Sequence, residues 1–170
     1  MKNLFFLALL LIPVITFSQK LNQKTTDPRK NNEMLIGFCN RDGFSTINSN
    51  FDSAYRVGYE FYKPDETTLK ELSGKLKNVK ITIVMATWCG DSKDWVPRFY
   101  KIMDAAGFKY KNLTIICVDR EKKAPGTNVE TYKADLVPTF IFYRKKAELG
   151  RIIEFPLGIF EKEIVKILSK

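Results

Sequence analysis

Lys80-Ile81-Thr82-Ile83-Val84-Met85-Ala86 runs straight into Thr87-Trp88-Cys89-Gly90-Asp91-Ser92. The first seven residues are apolar and β-branched and too short for a free-standing helix, so they predict a strand buried on both faces. From Ser92 to Ala106, Trp95, Phe99, Ile102 and Met103 recur at helical spacing, and Gly107 supplies the stop. A cysteine therefore stands between the end of a buried strand and the start of a helix. Unpaired N–H groups and the positive end of the helix dipole favour a thiolate there, and thiols so placed have pKa values of about 3.5–7.5 against ~8.5 for a free one. Asp91 opposes that field and Lys93 offsets Asp91, which leaves the sign of the net shift open. Gly90, with no side chain, leaves room for another chain to approach.

Outward from this stretch, Leu113 to Val118 (LTIICV) is a second buried strand, with Cys117 an inert core thiol inside it. Thr139 to Tyr143 and Arg151 to Phe155 are two more, and the charged connection Arg144 to Gly150 suits a hairpin loop. A short irregular or helical stretch, Asn128 to Ala134, precedes them, and a last helix carries Phe160, Ile164, Ile167 and Leu168 on one face. Upstream, Met34 to Cys39 is an apolar run followed by the turn-like Asn40-Arg41-Asp42-Gly43. Phe51, Ala54, Tyr55, Gly58 and Phe61 then recur at helical spacing behind the side-chain caps Asn48-Ser49-Asn50, and Pro64 stops that helix. A second short helix holds Leu69, Leu72 and Leu76. A parallel pair of strands followed by an antiparallel pair, with helices on both faces, is an α/β layered domain.

The chain of 170 residues, 45% hydrophobic and 28% charged, has an adequate core for one domain. It contains no histidine, which removes Ser-His-Asp hydrolysis, Cys-His proteolysis and every zinc site that needs an imidazole. Lys2 and the apolar run from Leu4 to Phe17, closing in Thr16-Phe17-Ser18, read as a secretory signal cut after Ser18. Pro13 interrupts a run already shorter than the roughly 20 residues of a spanning helix. No cysteine follows it directly, so a lipoprotein anchor has no attachment point, and the mature protein is expected to be periplasmic or secreted without a stable membrane anchor. Gln19 to Glu33 is polar, contains Pro28, and reads as a tether. The expected organisation is thus signal peptide 1–18, polar tether 19–33, N-terminal helical extension 34–79 and α/β domain 80–170. The formal charge of +9 falls to +8 once Lys2 is removed. Its basic pairs, Lys122-Lys123 and Lys145-Lys146 among them, are scattered among acidic residues, so nucleic acid is not an expected partner, while weak attraction to anionic partners stays open.

The sequence resembles the thioredoxin family. Beyond Trp88-Cys89-Gly90, Pro97 stands where the family has its helix-kinking proline, and Val137-Pro138-Thr139 stands where it has the cis-proline loop. Over residues 80–170 the resemblance implies a thioredoxin-like three-layer fold with a mixed central sheet. It also implies Cys89 as nucleophile, with Trp88, Gly90, Asp91, Val137 and Pro138 forming the substrate surface. Two departures matter. Position 92 is Ser92 instead of the second cysteine of Cys-x-x-Cys, and Ile83 occupies the place of the family's buried carboxylate.

Ser92 has two readings: a hydroxyl that donates to the Cys89 thiolate in a monothiol site, or the remnant of a lost redox pair. Cys39 is the candidate for a replacement resolving thiol, with a buried apolar role or a permanent disulfide as competing accounts. The expectation is an exported thiol–disulfide exchange protein acting on a protein or small-molecule disulfide or thiol through Cys89 and Ser92, with Cys39 as the candidate resolving thiol, and with no cofactor and no metal. The rival is a redox-inactive peptide-binding module of the same fold. A third reading, a monothiol glutaredoxin-like cluster carrier, is opposed by export and by the tryptophan before the cysteine.

Overall fold

The structure is a computed structural model and describes residues 20–47 and 50–170. The expected signal Met1–Ser18 and the expected caps Asn48 and Ser49 lie outside the described residues. The order is β1 (Gln23–Thr26), β2 (Glu33–Cys39), α1 (Phe51–Phe61), α2 (Glu66–Lys75), β3 (Val79–Met85), α3 (Gly90–Ala105), β4 (Leu113–Cys117), β5 (Thr139–Arg144), β6 (Ala147–Ile153) and α4 (Phe160–Leu168).

The strands form one mixed sheet in the order β1-β2-β4-β3-β5-β6. β3 runs parallel to β4 and antiparallel to β5, while β2, β6 and β1 join antiparallel to β4, β5 and β2. Side chains alternate between faces along β3. Ile81, Ile83 and Met85 join the core shared with α1 to α4, through residues such as Phe51, Leu72, Phe99 and Phe160. Val84 and Ala86 face the other way, against Ile116, Val118 and Val137. That second face is covered by the connection from β4 to β5, whose short 3-10 helix Val129–Tyr132 inserts Val129. The result is a three-layer α/β domain.

The N-terminal third differs from the expectation. Gln19–Glu33 is not a tether throughout: β1 lies within it and pairs with β2 from Gln23 opposite Ile36 to Thr26 opposite Glu33. All four β1 side chains are exposed, so this edge strand is held by its backbone ladder and leaves no trace in hydrophobic patterning. Residues 34–79 are not wholly helical either, because β2 occupies a place in the sheet beside β4. The β5–β6 connection is shorter than expected. Lys145 and Lys146 form a two-residue turn, and β6 spans Ala147–Ile153 instead of Arg151 to Phe155.

α1 packs across α3 at Gly58, where an added Cβ would stand 2.7 Å from Pro97 Cγ. Farther along the same interface, Asp104 accepts hydrogen bonds from Tyr59 (2.7 Å), Tyr110 (2.5 Å) and Arg41 (2.8 Å). Burial opposes its charge, but these three donors prevail and hold the carboxyl below the usual range. Because a proline ring inside a helix yields little, Gly58→Ala should clash by more than its gain in helix propensity. A net destabilisation of about 1 kcal/mol, read as a Tm lower by about 2–4 °C, is expected by thermal unfolding. An unchanged or raised Tm would show that the two helices separate freely.

Candidate active site around Cys89

Three chain segments meet beyond one end of the sheet. β3 ends at Met85, the chain turns through Thr87 and Trp88, and Cys89 becomes the N-cap of α3 in extended conformation (φ −83°, ψ 135°). Its N–H donates to Ala86 O (3.1 Å), and its carbonyl accepts from Lys93 N–H (3.2 Å). The half-buried thiol donates to Val137 O at 3.0 Å. The next peptide bond, Val137–Pro138, is cis. Gly90 is exposed, and a Cβ there would meet nothing within 4 Å, so approach to the sulfur from that side is open.

Ser92 is fully buried in the first turn of α3, and its Oγ accepts from Ala86 N–H at 3.3 Å. Accepting leaves the hydroxyl its own proton. Asp91 is half-buried in the same turn. Burial, then Lys30, hold Lys93 below the usual lysine value, with Cys89 acting in the opposite sense. Ile83, at the position of the family's carboxylate, is fully buried among apolar side chains. The Pro138 carbonyl accepts from Glu154 N–H at 2.7 Å, and Leu136 and Phe155, which flank these two segments, are exposed apolar residues.

Cys39 does not join this site. It sits opposite Ile115 of β4, which pairs with Ile83. That row lies two residues, about 7 Å, below the end of β3, and β2 is two strand spacings, about 10 Å, to the side, whereas a disulfide needs Cα atoms within about 7 Å. The two thiols also belong to opposite faces: Cys39 to the core under the helices, Cys89 to the cluster with Trp88 and Val137. Cys39 is buried, donates to Gly37 O (3.3 Å) and neighbours Cys117. Burial, and then Cys39, push the Cys117 thiol well up, which suits an inert core group.

The chain matches the family described as thioredoxin over residues 45–166. It belongs to the thioredoxin family. That match begins upstream of the 80–170 resemblance and takes in α1 and α2. No curated protein matches. Among solved structures, an HIV epitope-scaffold protein is similar at 12% identity and a TM-score of 0.55, over 74% of this chain and 88% of that one. A Pseudomonas aeruginosa protein of unknown function is similar at 11% identity and a TM-score of 0.53, over 76% and 81%. Mitochondrial thioredoxin 3 from Saccharomyces cerevisiae matches at 21% identity and a TM-score of 0.38, over 68% and 97%. The thioredoxin fold supports thiol–disulfide exchange as the general class of function, with protein thiols as the general kind of partner. Among the described residues no helix is long and apolar enough to cross a membrane, and no group of three or more His, Cys, Asp or Glu could hold a metal ion.

Sequence reading missed how β1 and β2 brace this thioredoxin site. Asp27, in the turn between them, is fully buried and takes Arg120 in two hydrogen bonds, Nε at 3.0 Å and a terminal nitrogen at 2.7 Å. The Arg120 guanidinium lies 4.2 Å over the Trp88 ring, and Lys122 Nζ lies 5.1 Å from that ring. Trp88 Nε1 donates to Val118 O at 3.0 Å, and Leu35 N–H donates to Thr87 Oγ1 at 3.2 Å. The available signal was Thr25-Thr26-Asp27-Pro28, β-branched residues running into a turn-forming pair just before the apolar run. The hydrogen bond from Arg120 holds the Asp27 carboxyl below its usual value. A depressed carboxyl pKa stabilises the fold above the unfolded value, about 4, and that contribution is lost as pH falls through the folded value. Asp27→Asn should therefore cost roughly 1–3 kcal/mol at neutral pH, with the gap to wild type closing below about pH 4, in denaturant titrations run across pH. Stability curves that stay parallel into acid would sink this account of the pair.

Proposed function

We propose that the protein is an exported, periplasmic or secreted, thiol–disulfide exchange protein that works through one cysteine. The observation that carries this is Cys89 at the N-cap of α3 with its sulfur 3.0 Å from the carbonyl that precedes Pro138. The apolar N-terminal stretch ending at Ser18 supports export.

In the forward step the Cys89 thiolate attacks one sulfur of a substrate disulfide. A Cys89–substrate disulfide forms, the substrate's S–S bond breaks, and the departing thiolate takes up a proton from water. When the thiol ionises or enters a disulfide, its bond to Val137 O is lost. That carbonyl becomes free to accept an N–H from an extended substrate segment lying along Pro138. Trp88, Gly90 and Asp91 border the sulfur, and Leu136 and Phe155 extend an apolar rim for such a segment.

Release follows from the placement of the cysteines. With Ser92 beside Cys89 and Cys39 on the other face, an external thiol attacks the substrate sulfur of the mixed disulfide, forming a new disulfide and returning Cys89 as a thiol. The rival, a redox-silent module that uses the same surface for peptides, draws its support from that exposed apolar rim and from Ser92 in place of a second cysteine.

Incubation with glutathione disulfide followed by intact-mass and peptide mapping separates the two. Wild type and Cys39→Ser should acquire one glutathione on Cys89 at the same rate, Cys89→Ala should acquire none, and added thiol should remove it. No adduct on Cys89 would favour the binding module. A slower adduct release in Cys39→Ser would restore Cys39 as the resolving thiol.

A further inference from the structure

At the pole of the sheet opposite Cys89, the α2–β3 and α3–β4 connections and the β5–β6 turn come together. The seven residues of β3 separate the two poles by about 20 Å. Six lysines gather there: Lys77 from the α2–β3 connection and Lys80 from the start of β3, Lys109 and Lys111 from the α3–β4 connection, and Lys145 and Lys146 from the β5–β6 turn. All six are exposed and line one cleft of about 760 Å³, a size that falls among small-ligand sites. Its apolar floor includes the buried Val79 and Phe108, and Asn78, Asn112 and the Tyr143 hydroxyl add neutral hydrogen-bonding groups.

No carboxylate lines this cleft, and among the described residues none of the six lysines has an Asp or Glu within ion-pair distance. Elsewhere the basic surface is interrupted by such pairs, as at Lys24–Glu33 and Arg151–Glu148. Six like charges around one concavity repel one another and raise the potential inside it. The backbone adds a second, independent observation. Lys145 and Lys146 occupy both central positions of their turn with φ of 50° and 70°. Left-handed conformations at both positions favour Asn-Gly, and lysine is disfavoured there. The chain thus holds two ammonium groups at the cleft rim against both their mutual repulsion and their backbone preference.

We propose that this cleft binds a compact ligand carrying two or more phosphoryl groups. Lysine is a point-charge partner for phosphate, and six of them match a ligand with several charges better than a single carboxylate. Concavity selects a compact molecule, since a flat bilayer would touch only the rim. The site is independent of the thiol chemistry at the other pole.

Calorimetric titration of the full chain with inorganic tripolyphosphate at about 150 mM salt tests this, beside flotation with phosphatidylglycerol vesicles. One tripolyphosphate should bind per chain. The double reversal Lys109→Glu/Lys145→Glu should weaken binding by about tenfold per lysine. The charge-matched Lys63→Glu/Lys162→Glu should stay within about threefold of wild type. Lys145→Asn/Lys146→Gly should weaken binding while raising Tm by about 2–4 °C, which excludes misfolding as the cause. Absence of binding, equal loss in the charge-matched control, affinity retained in the Asn-Gly variant, or binding to vesicles alone would each overturn the proposal.

Discussion

Everything at the two poles follows from the hydrogen-bonding of β3, which is parallel to β4 on one side and antiparallel to β5 on the other. A strand that is parallel to one neighbour and antiparallel to the next places two strand ends and one strand start on the same edge. Cys89 follows the end of β3, Val118 and Arg120 follow the end of β4, and Val137-Pro138 precedes the start of β5. These segments, far apart in the chain, need only short turns to meet. The opposite edge gathers the starts of β3 and β4 and the end of β5, where the lysines stand. Because β2 is antiparallel to β4, its start also lies at the thiol pole, which brings Asp27 within reach of Arg120.

Much of this was legible because burial leaves a periodic trace. Beyond Lys80, β3 and β4 read as largely apolar, β-branched runs because both faces are covered, and α3 and α4 showed their apolar stripes because only one face is. What escaped reading was held by something other than apolar contact. β1 buries no side chain and is held by its backbone ladder and the exposed Lys24–Glu33 pair, and the Asp27–Arg120 pair joins residues 93 apart in sequence with nothing local to announce it. The Lys145-Lys146 turn hid for a different reason: its residues are ones that turn preferences argue against, so the connection read longer than it is. The candidate site divided in the same way. Cys89, Ser92, Val137 and Pro138 were readable from one strand–helix junction and one loop. The separation of Cys39 from Cys89 depended on strand order and register, which the sequence does not display.

The family match covers residues 45–166, so the β1–β2 hairpin lies outside it and yet touches the segment around Cys89 on which the proposed chemistry rests. Asp27 neutralises Arg120 and fixes its guanidinium over Trp88, while Leu35 fixes Thr87 two residues before the thiol. An Arg120 left unpaired would stand as a free cation beside the sulfur. Paired with Asp27, it contributes a stacked plane instead, and its charge is largely spent within the pair. The hairpin thereby sets the stiffness and the local charge of the motif without supplying any reacting group.

On the proposed mechanism, the absence of a second thiol within reach makes the lifetime of a mixed disulfide a question of access. In a two-cysteine motif the resolving sulfur is one helical turn away and release is intramolecular; here the corresponding position is a buried hydroxyl that cannot accept a disulfide bond. An external thiol must then enter through what the site leaves open, the side marked by Gly90, while Trp88 and its cationic cover close the side toward β4. The substrate's own hold on the Val137 carbonyl works in the same direction, since a segment paired there keeps its sulfur beside Cys89 after the bond has formed. A long-lived adduct is the natural product of that arrangement, which suits a protein that captures or protects a thiol better than one that reduces disulfides in rapid cycles.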